Sequence, residues 1–442
     1  MTDWLQLCRA AVEDVHAVLA DMPTRAERER VVGTGEGGDE TTAIDKAAED
    51  AIVERFRATG ATIVSEEIGV LAGSGTILVI DPIDGSLNAK RGIPFFSLSI
   101  AVAAGPTMDD VHFGFVHDFG SGEEWTARRG EGAWLNGEPL GAAEPKDEIE
   151  ILVMEATRTD LVAADAPKVA ALAHRLRIMG STALSLSRAA VADVEAVLER
   201  LATRAEREEV VGSGAGGDET TAIDQAAEDS IVGSFRATGD SIVSEEVGIL
   251  EGSDTVLVID PIDGSLNAKR GSPFYSLLIA VADGRTVDDV PFGFVYDFGI
   301  GAEWSATRGE GAFLNGEPLG AERPSDEIEI LVMEATRTDL VAADAPKVAA
   351  LAHRLRIMGS TALSLCHLAA GRVDAVCTLK PTRSVDIAAG QLLCRELGLA
   401  LELFDVAEPF GAAPLDLGQR SRLAAAGTSE VCEHLSRALS AT

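Results

Sequence analysis

Runs of apolar residues, set off by glycine, proline and acidic residues, predict a mixed α/β fold for the second half of the chain. Short strands are predicted over Ser241–Ser244, Thr255–Ile259, Ser276–Ala282 and Gly293–Asp297, with a hairpin over Arg308–Gly316. This part of the chain therefore favours an antiparallel sheet accompanied by helices.

Apolar residues at close to helical spacing predict the helices. Thr220 or Thr221 can cap a helix that extends to Phe235. Further helices are predicted over 188–207, Ala345–Leu355 and Ser360–Ala370, and a glycine-rich loop over Gly212–Gly217. From Glu327 onward strands alternate with helices, which predicts a layered α/β unit.

The chain contains an internal repeat. Adding 179 to a position in the first half gives its counterpart in the second, so that Asp81 corresponds to Asp260. The correspondence runs without gaps from Cys8 to Leu186, and residues 147–186 are identical to residues 326–365. We call the residues up to Leu186 copy one and the remainder copy two. Identity this close indicates a recent duplication or a rearranged or engineered chain.

Copy one is shorter than copy two, because it passes from Leu186 directly into the predicted opening helix of copy two. It therefore has no counterpart of residues 366–442. The predicted domains are a metal-motif α+β domain of copy one (1–146), the truncated start of its second domain (147–186), the metal-motif α+β domain of copy two (187–325) and its C-terminal α/β domain (326–442).

Two aspartates stand at the end of an apolar strand in each copy. In copy two the strand Thr255–Ile259 leads to Asp260, and Asp263 follows three residues later, so that both carboxylates can face one point. Gly264 and Ser265 then open a segment whose free N–H groups can receive a phosphate. Hard cations such as Mg²⁺ prefer carboxylate and carbonyl oxygens shared with substrate phosphate. The pattern therefore predicts a metal site beside a phosphate site.

Three strings in copy two together resemble the inositol-monophosphatase superfamily. They are Asp260-Pro-Ile-Asp-Gly-Ser265 after its strand, the preceding Ser244-Glu-Glu246, and Ser384–Gly390. The superfamily also contains fructose-1,6-bisphosphatases and phosphoadenosine phosphatases, and the continuation Leu266–Tyr275 is most similar to its archaeal branch. The resemblance implies an α/β fold with α+β layering, an αβαβα sandwich that is tandem duplicated with the first copy truncated.

The resemblance also implies the chemistry of the site. Two or three Mg²⁺ ions would be held by Glu245, Asp260, the carbonyl of Ile262, Asp263 and Asp386. Glu245 would also act in catalysis. Ser265, at a position where the family usually has Thr, would orient and deprotonate the attacking water together with Asp224. Paired cations would activate this water and neutralise the phosphate oxygens.

Substrate contacts are implied for Gly264, Ser265, Gly359, Ser360, Thr361, Lys380 and Arg383. Thr378 stands where many inositol-specific members carry a Glu that binds ring hydroxyls, which weakens a strictly inositol-specific interpretation. Lys380 and Arg383 are either surface charges or the seat of a second phosphate, as in fructose 1,6-bisphosphate. The expected substrate is a small phosphorylated sugar or cyclitol.

Copy one is expected to be an incomplete site. It retains the counterparts Glu66, Asp81, Ile83 and Asp84, but it has no equivalent of Asp386. Activity is therefore predicted in copy two, with copy one an inactive or metal-binding pseudo-subunit. A homodimer or an intrachain pseudo-dimer is the expected assembly.

The net charge of −35 limits the partners that the protein can bind. Such a surface repels nucleic acid and anionic lipid, so neither nucleic acid nor a membrane is expected as a partner. Acidity spread along the whole chain indicates adaptation to high salt, although an ordinary acidic enzyme is the alternative.

Two other functions stay open. One is a phosphoadenosine 3′-phosphatase, which the low aromatic content of 5% disfavours. The other is a non-catalytic scaffold or rearranged duplicate.

The five cysteines form no Cys-x-x-Cys pair, which favours a reducing compartment over a disulfide framework. Cys366 is expected to serve packing and not nucleophilic catalysis. No apolar run reaches membrane-spanning length, and the chain does not open on a secretion signal. A cytoplasmic protein is therefore expected.

Overall fold

The computed structural model describes residues 2–34, 40–140, 149–155, 158–170, 172–180, 207–215, 219–236, 239–335 and 337–440. The chain forms two compact units. The first consists of Met1–Glu144 with Gly180–Val194, and the second of Pro145–Met179 with Glu195–Thr442. Residues 145–179 of copy one therefore belong to the same unit as most of copy two.

The first unit is built on one eight-stranded sheet. Its helices are α1 (Trp4–Asp21), α2 (Arg25–Glu29), α3 (Ala43–Arg57) and α4 (Ser86–Arg91). Its strands are β1 (Val31–Thr34), β2 (Glu40–Thr42), β3 (Thr62–Ser65), β4 (Gly69–Leu71), β5 (Ile77–Asp84), β6 (Ser97–Ala103), β7 (Val111–Asp118), β8 (Glu124–Arg128), β9 (Gly132–Leu135) and β10 (Glu138–Pro139). The sheet order is β10-β9-β8-β7-β6-β5-β3-β4, and β1 and β2 form a separate hairpin.

The two faces of this sheet differ in burial. Apolar residues of α1 and α3, among them Val15 and Phe56, form a core with residues such as Leu78. On β5, the neighbouring Val79 is 47% exposed, whereas its counterpart Val258 in copy two is fully buried. The exposure follows from the truncation, because copy one has no counterpart of the C-terminal helix that covers Val258.

Copy two repeats this sheet within the second unit. The helices are α6 (Ala222–Phe235) and α7 (Ser265–Lys269). The strands are β13 (Val210–Ser213), β14 (Glu219–Thr221), β15 (Ser241–Ser244), β16 (Gly248–Leu250), β17 (Val256–Asp263), β18 (Ser276–Ala282), β19 (Phe292–Asp297), β20 (Ala302–Thr307), β21 (Gly311–Leu314) and β22 (Glu317–Pro318). The order β16-β15-β17-β18-β19-β20-β21-β22 matches that of copy one.

A second, five-stranded sheet completes copy two. Its strands are β23 (Ile328–Glu334), β24 (Ala352–Arg356), β25 (Ala375–Thr378), β26 (Ala400–Leu403) and β27 (Leu423–Ala426), in the order β24-β23-β25-β27-β26. The helices here are α8 (Thr338–Val348), α9 (Thr361–Ala369), α10 (Ser384–Glu396) and α11 (Ser429–Ser440).

The helices of copy two make layers with the two sheets. Helix α6 packs on the eight-stranded sheet, and α10 covers the other face of that sheet while packing against α9. Helix α9 contacts β25, and α8 and α11 lie on the five-stranded sheet. This arrangement is the predicted αβαβα sandwich, and the repeated first sheet confirms the tandem duplication.

A remnant of copy one's second domain accompanies these layers. It consists of β11 (Ile149–Val153), α5 (Thr159–Val169) and β12 (Ala173–Arg177), with β11 and β12 paired in parallel. Helix α5 packs against α8 of copy two. The remnant therefore shares the hydrophobic core of the second unit.

Most of the predicted strands are confirmed, and the prediction of one helix is wrong. Thr221 caps α6 as expected, through a box with Asp224, and α9 confirms the helix over Ser360–Ala370. The helix over Ala345–Leu355 is wrong, because α8 ends at Val348 and Ala352–Arg356 forms a strand. The alanine-rich sequence favours helix, but parallel pairing with β23 prevails.

Two predicted segments fall partly or wholly on residues that the structure does not describe. Nearly all of the predicted helix over 188–207 lies outside the described residues. In the predicted loop over Gly212–Gly217, the described part contributes to a hairpin, since β13 and β14 pair antiparallel. Cys366 is fully buried inside α9, in agreement with a packing role.

Candidate metal centre and substrate cavity

Three acidic side chains of copy two converge at the strand ends. Glu245 follows β15, Asp260 lies near the end of β17, and Asp386 lies in the first turn of α10. Within the described residues, these three are the one group of at least three acidic, His or Cys residues whose candidate ligand atoms all lie within 4.8 Å of one another. Oxygen donors in this arrangement suit a hard divalent cation.

The electrostatics of the group fit a bound cation. Burial raises the pKa of Asp260 well above its ordinary value, and the charge of Asp263 raises it further. Burial likewise raises the pKa of Glu245 to about 7. Buried carboxylates of one sign destabilise each other unless a positive charge lies among them. A divalent cation at this position would remove that repulsion.

Arg383 supplies positive charge to the group in the protein itself. Its Nη2 lies 2.6 Å from Glu245 Oε1 and 3.4 Å from Asp386 Oδ1. These carboxylates raise the pKa of the guanidinium above its ordinary value. The side chain thus lies beside the predicted metal ligands, and its role as a seat for a second phosphate stays a prediction.

Asp263 is held in a different way from the other three acids. The strand β17 is irregular between Asp260 and Asp263, which brings Asp263 to the start of helix α9. Its Oδ2 accepts hydrogen bonds from Ser360 Oγ (2.6 Å) and the Ala362 N–H (2.7 Å). The carboxylate is therefore fixed next to Asp260 by the turn that precedes α9.

Asp224 and Ser265 both contact Lys269. Its Oδ2 accepts a hydrogen bond from Thr221 Oγ1 at 2.6 Å and pairs with Lys269 Nζ at 3.0 Å. Lys269 Nζ also lies 3.5 Å from Ser265 Oγ. Sequence reasoning missed Lys269, although its position one turn after Ser265 on α7 could have indicated it.

Gly264 makes the sharp turn that presents this segment. Its φ is +87°, and a Cβ there would lie 2.7 Å from the Phe274 carbonyl oxygen and 3.0 Å from that of Gly359. Only glycine combines this backbone conformation with so close an approach. The turn brings α7 against the residues that precede α9.

The acids open into a cavity of about 700 Å³. The predicted residues that line it are Asp224, Glu245, Asp260, Ile262, Asp263, Gly264, Ser265, Gly359, Thr361, Lys380, Arg383 and Asp386. Ser360 is instead buried and bonded to Asp263. Thr378 lines the cavity, but its Oγ1 accepts the Leu423 N–H at 2.8 Å.

Eight charged residues of the cavity wall are not among the predicted site residues: Arg175, Arg177, Glu208, Glu219, Glu246, Lys269, Glu334 and Arg420. Arg175 and Arg177 come from the copy-one remnant, so the sequence of copy two alone could not indicate them. Glu334 is buried and accepts hydrogen bonds from the Gly359 N–H and Ser364 Oγ. Its position at the end of the apolar strand β23 is the sequence feature that could have indicated it.

Copy one builds the same local geometry around its own aspartates. The Ile83 N–H donates to Asp81 Oδ1 at 3.1 Å, as the Ile262 N–H does to Asp260. Lys90 pairs with Asp45 at 3.1 Å. Burial, followed by the charges of Asp84 and Glu66, raises the pKa of Asp81 to about 7. Copy one thus retains half of a site, without the residue equivalent to Asp386.

In the metal-free protein, the free energy of unfolding is expected to decrease as the pH rises. Because burial raises the pKa of Glu245 from 4.5 to about 7, the folded protein keeps this proton in a range where the unfolded chain has lost it. That stabilisation is fully present below the unfolded pKa and is lost as the pH rises through the folded pKa. Thermal unfolding in EDTA should show Tm falling from about pH 5 to about pH 8. Glu245→Gln should flatten the decline, and an equal decline in this variant would contradict the assignment.

Among the described residues, none of the helices has both the length and the hydrophobicity that a membrane span requires.

The model of the family described as "Inositol monophosphatase family" matches the chain twice, over residues 4–201 and 181–441. The two matches confirm the resemblance and the tandem arrangement.

Several archaeal proteins are similar to this chain. A fructose-1,6-bisphosphatase/inositol-1-monophosphatase of Methanothermobacter thermautotrophicus is 35% identical over 56% of this chain and 92% of that protein. A protein of the same name from Methanocaldococcus jannaschii is 34% identical over 44% of this chain and 75% of that protein. The solved structure of a Pyrococcus horikoshii protein with similarities to inositol-1 monophosphatase aligns with a TM-score of 0.46 and 26% identity, over 58% of this chain and 96% of that chain.

Proposed function

Because the chain belongs to the inositol monophosphatase family, we propose that it is a Mg²⁺-dependent phosphomonoester hydrolase whose activity resides in copy two. Membership confirms the predicted class of enzyme, a metal-dependent phosphatase. The proposed substrates are inositol monophosphate, fructose 1,6-bisphosphate or both, in line with the names of the two archaeal relatives. The observation that carries the proposal is the Glu245–Asp260–Asp386 group at the cavity.

The metal ligands in this proposal are the carboxylates of Glu245, Asp260, Asp263 and Asp386 and the carbonyl of Ile262. When bound, Mg²⁺ would lower the pKa of a water and neutralise phosphate oxygens. The protein's part is to hold these oxygens in a fixed place. The Ile262 N–H donates to Asp260 at 3.1 Å. The Thr382 hydroxyl and the Arg383 N–H each donate to Asp386 at 2.9 Å.

Ser265 and Asp224 orient the attacking water in this proposal. The Ser265 hydroxyl lies at the start of α7, and Asp224 is kept in place by Thr221 and by its ion pair with Lys269. A proton leaving the water would pass through the hydroxyl toward the Asp224 carboxylate. The Ser265 hydroxyl lies 3.5 Å from Lys269 Nζ, which also pairs with Asp224. General-base catalysis requires a hydrogen-bonding distance to the proton that is removed.

In this proposal the organic part of the substrate contacts Gly359, Thr361 and Lys380, which line the cavity. Thr378 is engaged with the backbone and offers no carboxylate to ring hydroxyls. The proposal therefore includes tolerance of both a cyclitol and a sugar phosphate, and not strict recognition of inositol.

The proposal includes the cytoplasm as the place of action, since the five cysteines are all free and buried. It also includes a surface adapted to salt, as the charge of −35 indicates.

The test is phosphate release from inositol 1-phosphate, fructose 1,6-bisphosphate and phosphoadenosine phosphate, each with Mg²⁺ and with EDTA, at low and at high KCl. We expect Mg²⁺-dependent release from one or both of the first two and none in EDTA. Release from phosphoadenosine phosphate alone would replace the proposed substrate class. No release from any substrate would favour the scaffold.

A further inference from the structure

The copy-one remnant contacts copy two through identical residues. Helix α5 packs against its counterpart α8. The shared core contains Val162 with Val341, Ala166 with Ala345, Leu176 with Leu355, and Ile178 with Ile357, and the members of each pair stand 179 positions apart. The Ile178 N–H donates to the Ile357 carbonyl at 3.4 Å, and the Ile357 N–H donates to the Ile178 carbonyl at 3.1 Å.

Reciprocal contacts between identical surfaces are the signature of a two-fold interface between two subunits. Here both surfaces belong to one chain and to one compact unit. The remnant therefore occupies the surface of copy two that a second copy of copy two would otherwise need for this contact. Its side chains are buried in the common core, as a permanent interface requires.

Arg177 extends from this interface to the wall of the cavity. The residue is 7% exposed, and its Nε donates to Asn267 Oδ1 at 3.2 Å. Its guanidinium lies against Gly359, where a Cβ would meet Nη2 at 2.5 Å. Since Gly359 has a φ of +95°, the turn and the guanidinium fit each other only with glycine at this position.

The contacts of Arg177 continue toward the metal centre. Asn267 Nδ2 donates to the carbonyls of Phe274 and Met358, both at 2.7 Å. Met358 and Gly359 lead into Ser360, whose hydroxyl holds Asp263. A shift of Asn267 or Gly359 would therefore move a proposed metal ligand.

We propose that the remnant, residues 149–179, is a built-in partner of copy two, and that Arg177 is a positioning residue that fixes the Gly359 turn and through it Asp263. The inference rests on the proposed function for its effect on turnover. It gives the truncated copy a role, because a side chain from its incomplete second domain completes the active cavity of copy two within the same chain.

Arg356, the counterpart of Arg177, is a matched control. Both side chains are buried, and each donates from Nη1 to the carbonyl of its preceding leucine at 3.0 Å. The charge of Arg356 interacts with Glu155 of the remnant, whereas that of Arg177 interacts with Glu334. Arg177 lines the cavity, and Arg356 is not among the residues that do.

The test compares Arg177→Gln with Arg356→Gln in the full chain. For Arg177→Gln we expect kcat to fall about tenfold or more, since small displacements of catalytic groups cost this much. Binding of Mn²⁺, followed by electron paramagnetic resonance, should weaken in parallel. Both Gln variants should lower Tm, and by similar amounts. Arg356→Gln should nevertheless keep kcat and Mn²⁺ affinity within about twofold of the wild type. Arg177→Lys, which keeps the charge, should recover part of kcat and replaces Arg177→Gln if that variant does not fold.

Equal kcat and equal Mn²⁺ affinity in the two Gln variants would overturn the positioning role while leaving the proposed function intact. If the wild type releases no phosphate but Arg177→Gln still weakens Mn²⁺ binding, the proposed function fails and the positioning role stands.

A cross-link tests whether the partner is built in. Residues 178 and 357 form a reciprocally bonded pair, a geometry whose Cα separation of about 5.5 Å suits a disulfide. The double variant Ile178→Cys/Ile357→Cys should, on oxidation, give a cross-link within one chain and no covalent dimer. Covalent dimers as the main product would show that the contact joins two chains and would overturn the in-cis assignment.

Discussion

Replacing Asp386 by Asn is expected to abolish most of the turnover while leaving the protein folded. Asp386 is the proposed ligand that copy one lacks, and its carboxylate lies with those of Glu245 and Asp260 within 4.8 Å. Loss of one charged ligand should cost about 4 kcal/mol of transition-state stabilisation, or about a thousandfold in kcat. The Asn oxygen can still accept from Thr382 and Arg383, which bond Asp386 now. Phosphate release under saturating Mg²⁺ measures the effect.

The same substitution should not lower the stability of the metal-free protein. It removes one charge from a buried acidic group, so Tm in EDTA should stay level or rise. Asp374 offers the control, because this buried carboxylate accepts the N–H groups of Ser325, Glu329 and Ile330 and lies away from the cavity. Asp374→Asn should cost about 1–3 kcal/mol of stability and keep kcat. Wild-type turnover in Asp386→Asn would remove Asp386 from the metal centre.

The sequence predicted the parts of the site that depend on one short segment. The string from Asp260 to Ser265 follows an apolar strand, and the structure places it at a strand end beside Glu245 and Asp224. The internal repeat, read as an offset of 179, also predicted that copy one would be incomplete. Both predictions depend only on the order of residues along the chain, and so they need no knowledge of tertiary contacts.

Features that depend on tertiary contacts were not predictable in this way. Arg177 reaches the cavity only because the copy-one remnant packs on copy two, and no spacing in the sequence encodes that contact. The sequence predicts a helix over Ala345–Leu355, but Ala352–Arg356 forms a strand, since pairing with β23 outweighs the local preference of its residues. The position of Arg383 among the acids likewise follows from the packing of α10.

The two copies are expected to respond very differently to the same substitution. Asp260 and Asp81 occupy equivalent positions, and each accepts a hydrogen bond at 3.1 Å from the N–H two residues later. Asp260 has Asp386 beside it, because α10 covers the sheet of copy two. Copy one supplies no equivalent of Asp386 for Asp81, since its repeat ends before the equivalent helix. Asp260→Asn should therefore lower kcat by about a thousandfold, whereas Asp81→Asn should change it less than about twofold.

Measuring Tm distinguishes an effect on catalysis from an effect on folding in Asp260→Asn and Asp81→Asn. Both aspartates have pKa values raised by burial, so either substitution should leave Tm in EDTA unchanged or raise it. Mg²⁺ should still raise the Tm of Asp81→Asn, and it should raise that of Asp260→Asn much less.

The decisive measurement is the rate of Mg²⁺-dependent phosphate release by Asp260→Asn and Asp81→Asn, assayed side by side on the preferred substrate. Loss of release in Asp260→Asn with near wild-type release in Asp81→Asn would support a single complete active centre in copy two. Loss of release in Asp81→Asn, with Asp260→Asn still active, would contradict it.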